Sequence, residues 1–94
     1  MKTAEQCAAS IKETVGRIEI TENASVMTAS DKMNQLQMLY FALDLTLTDF
    51  CEKVDKERRE AKTQREESYI NSLFVKTLDL VDVERMPARR QIAA

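Results

Sequence analysis

The chain has 94 residues, with 14 basic and 16 acidic side chains, one glycine, two cysteines and no histidine. This length allows one small domain, and a formal net charge of −2 is too small an imbalance to indicate a nucleic-acid or membrane partner by itself. Without histidine the chain lacks the commonest general base and metal ligand, and one glycine cannot build a phosphate-binding loop, so we expect no enzyme activity, no cofactor and no metal site.

The first predicted element is an amphipathic helix that begins after Thr3 and runs to about residue 21. Thr3 and Gln6 have the spacing of a capping box. Gly16 lies inside the apolar repeat, which favours a helix that continues through it, at a cost of about 1 kcal/mol, over one that ends there. The stretch 20–30, which is rich in Thr, Asn and Ser, is predicted to form the first connection. The apolar repeat consists of Ala4, Ala8, Ile11, Val15 and Ile18.

The second predicted helix begins near residue 30, with Thr28 and Asp31, or Ser30, as its cap, and runs past Val54. Its apolar residues recur at every third or fourth position and form one stripe: Met33, Leu36, Tyr40, Leu43, Leu47, Phe50 and Val54. Five further apolar residues widen this face: Leu39, Phe41, Ala42, Leu45 and Cys51. Such width predicts burial on more than one side, as in a helical bundle rather than a two-stranded coiled coil.

Residues 52–68 contain six acids and six bases, and their net charge is zero. Acid–base pairs four residues apart, such as Lys53 with Glu57, favour a solvated helix over disorder. Thr63 and Glu66 repeat the spacing of a capping box, so a new helix can begin there. The sequence leaves two alternatives open, a turn within residues 60–68 or one continuous helix.

The third predicted helix ends at Met86 and Pro87. On a continuous straight helix its apolar face would point about 135° away from that of the second helix. We therefore favour a chain that folds the third helix back, giving an all-α bundle of about three helices with a long central helix. Residues 1–86 form this single domain, and 87–94 are predicted to be a flexible tail. The apolar face consists of Tyr69, Ile70, Leu73, Phe74, Thr77, Leu78 and Val81.

The two cysteines are too few for a disulfide framework, and Cys7 and Cys51 are predicted to be reduced, buried thiols in a cytoplasmic protein. We expect no signal peptide, because the N-terminus soon meets Glu5 and Lys12 and has no apolar h-region. We expect no membrane-spanning segment, because no run approaches about 18 apolar residues. Three wide apolar faces on so short a chain favour a homodimer.

The predicted function is a non-enzymatic protein-interaction module, an adaptor, inhibitor or small regulatory factor of the kind found among bacterial and phage accessory proteins. The apolar residues of the second and third helices are its predicted core or partner interface. A second hypothesis is a nucleic-acid-associated factor that uses the bases Arg58, Arg59, Lys62, Arg65, Arg85, Arg89 and Arg90. The last three are also candidates for contact with an acidic partner, whereas the first four are interleaved with glutamates. A third hypothesis is a small helical-dimer enzyme with a buried cluster of Arg, Lys and Glu.

Overall fold

The computed structural model describes residues 2–81, which form the three helices α1 (Ala4–Glu22), α2 (Ala29–Glu60) and α3 (Gln64–Leu80). With 32 residues, α2 spans most of the 51 Å length of the molecule. The all-α bundle with a long central helix is confirmed, whereas the homodimer stays a prediction. None of the three described helices has a stretch long and apolar enough to cross a lipid bilayer.

The last part of the chain lies outside the described residues. The third helix already ends at Leu80, with Val81 as its C-cap, and not at Met86 and Pro87 as predicted. The part outside the described residues includes the domain boundary at residue 86 and the tail 87–94. The predicted contact residues Arg85, Arg89 and Arg90 also lie there.

The first helix begins with the predicted capping box. The Thr3 hydroxyl accepts a hydrogen bond from the Gln6 N–H at 3.2 Å, and the Gln6 side chain accepts one from the Thr3 N–H at 3.0 Å. The helix continues through Gly16 to Glu22, as predicted. Apart from its chain neighbours and the backbone of its own helix, a Cβ atom added at Gly16 would meet no atom of the described chain within 4 Å. Packing therefore does not require a glycine at this position.

The connection between α1 and α2 covers residues 23–28, inside the predicted stretch. The Glu19 carbonyl accepts two hydrogen bonds from Asn23, one from its backbone N–H at 3.1 Å and one from its side-chain amide at 2.9 Å, which closes the end of α1. The Thr28 hydroxyl accepts a hydrogen bond from the Asp31 N–H at 3.1 Å. Thr28 is thus the N-cap of α2, one of the two caps that the sequence allowed.

The chain turns between α2 and α3 at residues 61–63, so the bundle is formed and the continuous helix is not. Ala61 takes an extended conformation, with φ of −63° and ψ of 129°, and ends α2 without a glycine or a proline. The Thr63 hydroxyl caps α3 by accepting from the Glu66 N–H at 3.1 Å. The Glu66 carboxylate in turn accepts from the Lys62 N–H at 2.9 Å. Two local hydrogen bonds therefore hold the turn.

The core lies between the three helices, along the stripe of α2 that the sequence predicts. Within that stripe Met33 and Leu47 are half-buried and the other five side chains are buried. From α3, Ile70 and Thr77 are buried, whereas Tyr69 is 54% exposed. The buried apolar residues of the described chain are Ala4, Cys7, Ile11, Val15, Ile18, Leu36, Tyr40, Leu43, Phe50, Val54 and Ile70. The long helices α1 and α2 thus supply nearly all of the core.

Charged side chains of α2 hold both ends of α1. The Glu57 carboxylate accepts a hydrogen bond from the Ala4 N–H at 2.6 Å, and the Lys32 ammonium donates to the Glu22 carbonyl at 3.2 Å. An acid at the N-terminus and a base at the C-terminus both match the dipole of α1. The spacing of four residues predicts a pair between Glu57 and Lys53. In the structure the Lys53 ammonium lies 3.3 Å from the Asp49 carboxylate instead. These contacts make α1 antiparallel to α2.

The third helix also runs antiparallel to α2 and lies beside the first half of α1. The ring of Phe74 stacks on that of Phe50, with 6.0 Å between the centroids. Nearer the end of α3, Leu78 lines the same groove as Leu47 of α2. The described part of α3 therefore covers the second half of α2.

Candidate protein-interaction surface

A second repeat of residues runs along α2 on the side opposite the core. Its members also recur at every third or fourth position: Asp31, Asn34, Met38, Phe41, Leu45, Thr48 and Glu52. We call this repeat the outer seam, and the stripe Met33 to Val54 the inner stripe. The outer seam is offset from the inner stripe by two residues, which is about 200° around an α-helix. One helix therefore presents two faces of the same periodicity in opposite directions.

The middle of the outer seam is apolar and exposed. Met38 is 73% exposed, Phe41 68% and Leu45 59%. Together they present roughly 400 Å² of apolar surface, which is the size of the largest patch on an ordinary monomer and often functional. Because the inner stripe fixes α2 against the core, these three side chains are displayed on a rigid element.

The outer seam is also depleted of charge in its middle and acidic at its ends. Asp44 is the only charged residue from Met33 to Thr48, in a chain of which 32% is charged. Asp31 and Glu52, at the two ends of the seam, are exposed. Loss of charge together with exposed Met and Phe is the composition found at the centres of protein interfaces.

An open groove of about 470 Å³ between α2 and α3 adjoins the outer seam, because Thr48 and Glu52 line it. Leu47, Cys51 and Leu78 supply its apolar lining. The prediction of a buried thiol is wrong for Cys51, which is exposed. Cys51 follows Phe50 and lies about 100° around the helix from it, so its side chain sits at the edge of the core. The apolar surface of α2 thus extends from the seam toward α3.

The other thiol, Cys7, is buried and free, as predicted. Its Sγ donates a hydrogen bond to the Asp49 carboxylate at 3.4 Å. Burial, followed by the hydrogen bond and charge of Asp49, raises the pKa of Cys7. The same hydrogen bond, followed by that from Lys53, lowers the pKa of Asp49. A protonated thiol is a poor nucleophile, so this group joins α1 to α2 rather than forming a reactive site.

The basic residues that the nucleic-acid hypothesis names lie in different surroundings within the described structure. The guanidinium of Arg58 lies over the Phe74 ring, 5.8 Å from its centroid, and 3.9 Å from Asp55. Arg65 lines an open groove of about 510 Å³ together with three glutamates, Glu57, Glu60 and Glu66. Arg59 and Lys62 are exposed. The described bases therefore do not combine into one basic surface, because Arg58 packs inward and Arg65 lies among acids.

Sequence reasoning placed Phe41 and Leu45 on a widened version of the core face and missed the outer seam as a separate surface. The signal that distinguishes it is the second repeat, which has an uncharged middle and acids at both ends. Ile20 is as exposed as Met38, at 73%. The residues three positions before and after it, Arg17 of α1 and the C-cap Asn23, are polar, so Ile20 belongs to no exposed apolar repeat.

Comparison with known proteins found no match: no protein-family model fits the sequence, and no curated protein or solved structure is significantly similar to it. Among residues 2–81, no group of three or more His, Cys, Asp or Glu side chains is placed to hold a metal ion.

Proposed function

We propose that this protein is a non-enzymatic interaction module that binds a helix of a partner protein along the outer seam of α2. The observation that carries this proposal is the exposure of Met38, Phe41 and Leu45 at helical spacing on the side of α2 away from the core. A partner helix with its own apolar stripe can pack on such a seam, as in other helix-mediated recognition. The module then acts as an adaptor, an inhibitor or a small regulatory factor.

The size of the surface sets the expected strength of binding. Burial of roughly 400 Å² of this chain's apolar surface is worth about 10 kcal/mol before the costs of association. Those costs are at least about 4 kcal/mol and leave at most about 6 kcal/mol, so we expect dissociation constants of tens of micromolar or weaker from the seam alone. The groove that contains Cys51 and Leu78 offers further apolar contact. Two free cysteines support a reducing compartment such as the cytoplasm.

Site-specific photo-crosslinking in the native cell tests the proposal. A benzophenone side chain in place of Phe41 should give covalent adducts with one partner protein. The same group in place of Tyr69, which is exposed on α3 and lies off the seam, is the matched control. Adducts of equal yield at the two positions, or none at Phe41, would contradict the proposal.

A pair of substitutions then assigns the contact to the seam. Phe41→Gln with Leu45→Gln should abolish the adduct formed by a crosslinker placed at Met38, while circular dichroism stays unchanged because both side chains are exposed. Ile20→Gln removes an equally exposed apolar side chain from α1 and should leave the adduct unaffected.

A further inference from the structure

The acidic ends of the outer seam indicate which kind of helix fits on it, an inference that rests on the proposed function. We propose that the partner helix carries an apolar stripe with Lys or Arg at both of its ends and that it is not a second copy of this chain. Asp31 and Glu52 occupy the same heptad position as Met38 and Leu45. They therefore lie in line with the apolar side chains and face whatever covers them.

Two exposed bases follow Glu52 on α2, Lys56 four residues on and Arg59 one heptad on, whereas no Lys or Arg stands three or four residues from Asp31. The sequence has no Lys or Arg between Lys32 and Lys53. Lys32 donates to the Glu22 carbonyl, and Lys53 pairs with Asp49, so both lysines are directed toward α1. The seam thus combines an uncharged middle with an acidic side chain at either end. A partner that leaves these carboxylates without a basic residue forgoes favourable charge pairing.

A second copy of the chain would place acids, not bases, directly opposite the two ends of the seam. In a parallel two-fold pairing of seams, Asp31 faces Asp31 and Glu52 faces Glu52. In an antiparallel pairing that sets Met38 opposite Leu45, Asp31 faces Glu52 of the other copy. Like charges placed opposite each other disfavour a complex, so both orientations are disfavoured at neutral pH. Charge complementarity therefore favours a different, basic helix.

Three synthetic peptides test this inference directly. Each has the same helical sequence with one leucine stripe, and the two positions that meet the ends of the seam are Lys, Gln or Glu. Fluorescence anisotropy at neutral pH should show the Lys peptide binding at least about tenfold more tightly than the Gln peptide, and the Glu peptide binding most weakly. The difference should shrink at about 1 M salt, where the Debye length falls to about 3 Å.

Variants of the protein locate the effect. Asp31→Asn with Glu52→Gln should remove the preference for the Lys peptide and leave the affinity for the Gln peptide unchanged. Glu5→Gln with Glu19→Gln neutralises two exposed acids on α1 and is the matched control, which should keep the preference. Phe41→Gln should lower the affinity for all three peptides.

The outcomes separate this inference from the proposed function. If the Lys and Gln peptides bind with equal affinity and Phe41→Gln abolishes the binding of both, the inference of a basic partner helix is wrong, but the outer seam still stands as the interaction surface. Binding that survives Phe41→Gln, or no binding of any peptide, would overturn both. Self-association at neutral pH that Phe41→Gln abolishes would show that the occupant is a second copy and would also overturn the inference.

Discussion

The two faces of α2 carry the same spacing of apolar residues, yet α1 and α3 cover only one of them. Leu43 and Leu45 are two positions apart, and their exposed fractions are 0% and 59%. Phe50 and Phe41 differ in the same way, at 0% and 68%. A repeat at every third or fourth position thus indicates that a face is suited to packing, but it does not say whether the same chain or another one covers it.

The largest expected effect comes from placing a charge on each face in turn. Leu43→Asp should cost more than about 4 kcal/mol, because it buries an unpaired carboxylate, and should unfold the protein. Leu45→Asp should change the free energy of unfolding by no more than about 0.5 kcal/mol, because the side chain reaches solvent. Thermal denaturation followed by circular dichroism measures both. Equal destabilisation of the two variants would show that the seam is covered within the folded chain.

A smaller effect separates backbone from packing contributions. Gly16→Ala should raise the free energy of unfolding by about 1 kcal/mol, because alanine costs less entropy in a helix. The added methyl group meets no described atom of another helix within 4 Å, so this gain contains no packing between helices. Chemical denaturation with urea measures the change. A loss of stability would show that something closely approaches the α1 backbone at residue 16 in solution.

The smallest effect contrasts a buried cysteine with an exposed one as pH rises. The pKa of Cys7 is raised above its ordinary value of 9.0, so the folded protein keeps a proton that the unfolded chain loses. The resulting stabilisation is complete below pH 9.0 and is lost as pH rises through the folded-state pKa.

Urea denaturation across this pH range measures the contribution of Cys7. Cys7→Ala should show a shallower alkaline loss of stability than the unmodified protein, whereas Cys51→Ala, at the exposed site, should keep the full loss. If the free energy of unfolding falls equally steeply with pH in all three proteins, the Cys7 thiol titrates alike in the folded and unfolded chains.

Local chemistry made much of the fold predictable. Thr3, Thr28 and Thr63 each cap a helix through a side-chain hydrogen bond to a residue three positions on, which sequence spacing reveals directly. The difference in direction between the inner stripe and the α3 face predicted the turn, because one face cannot serve both. These features depend on neighbours within one or two helical turns.

Features that depend on distant partners could not be predicted. Glu57 accepts from the Ala4 N–H, 53 residues away, although a lysine stands at the favourable spacing beside it. Cys51 and Phe41 lie on the widened apolar face that the sequence shows, and only the position of α1 and α3 reveals that both are exposed. Periodicity gives the rotation of a side chain about its helix axis, but not which helices lie beside it.

The contacts at the two ends of α1 also fix the length of α2 between Lys32 and Glu57. Both repeats of α2 would stay in phase if seven residues were removed between Lys32 and Glu57, because seven residues make one heptad. The deletion would shorten α2 by about 10 Å, however, so Lys32 and Glu57 could no longer reach Glu22 and Ala4 together. The length of α1 therefore fixes the length of α2 between Lys32 and Glu57. It sets the number of residues available to the outer seam as well as the number in the core.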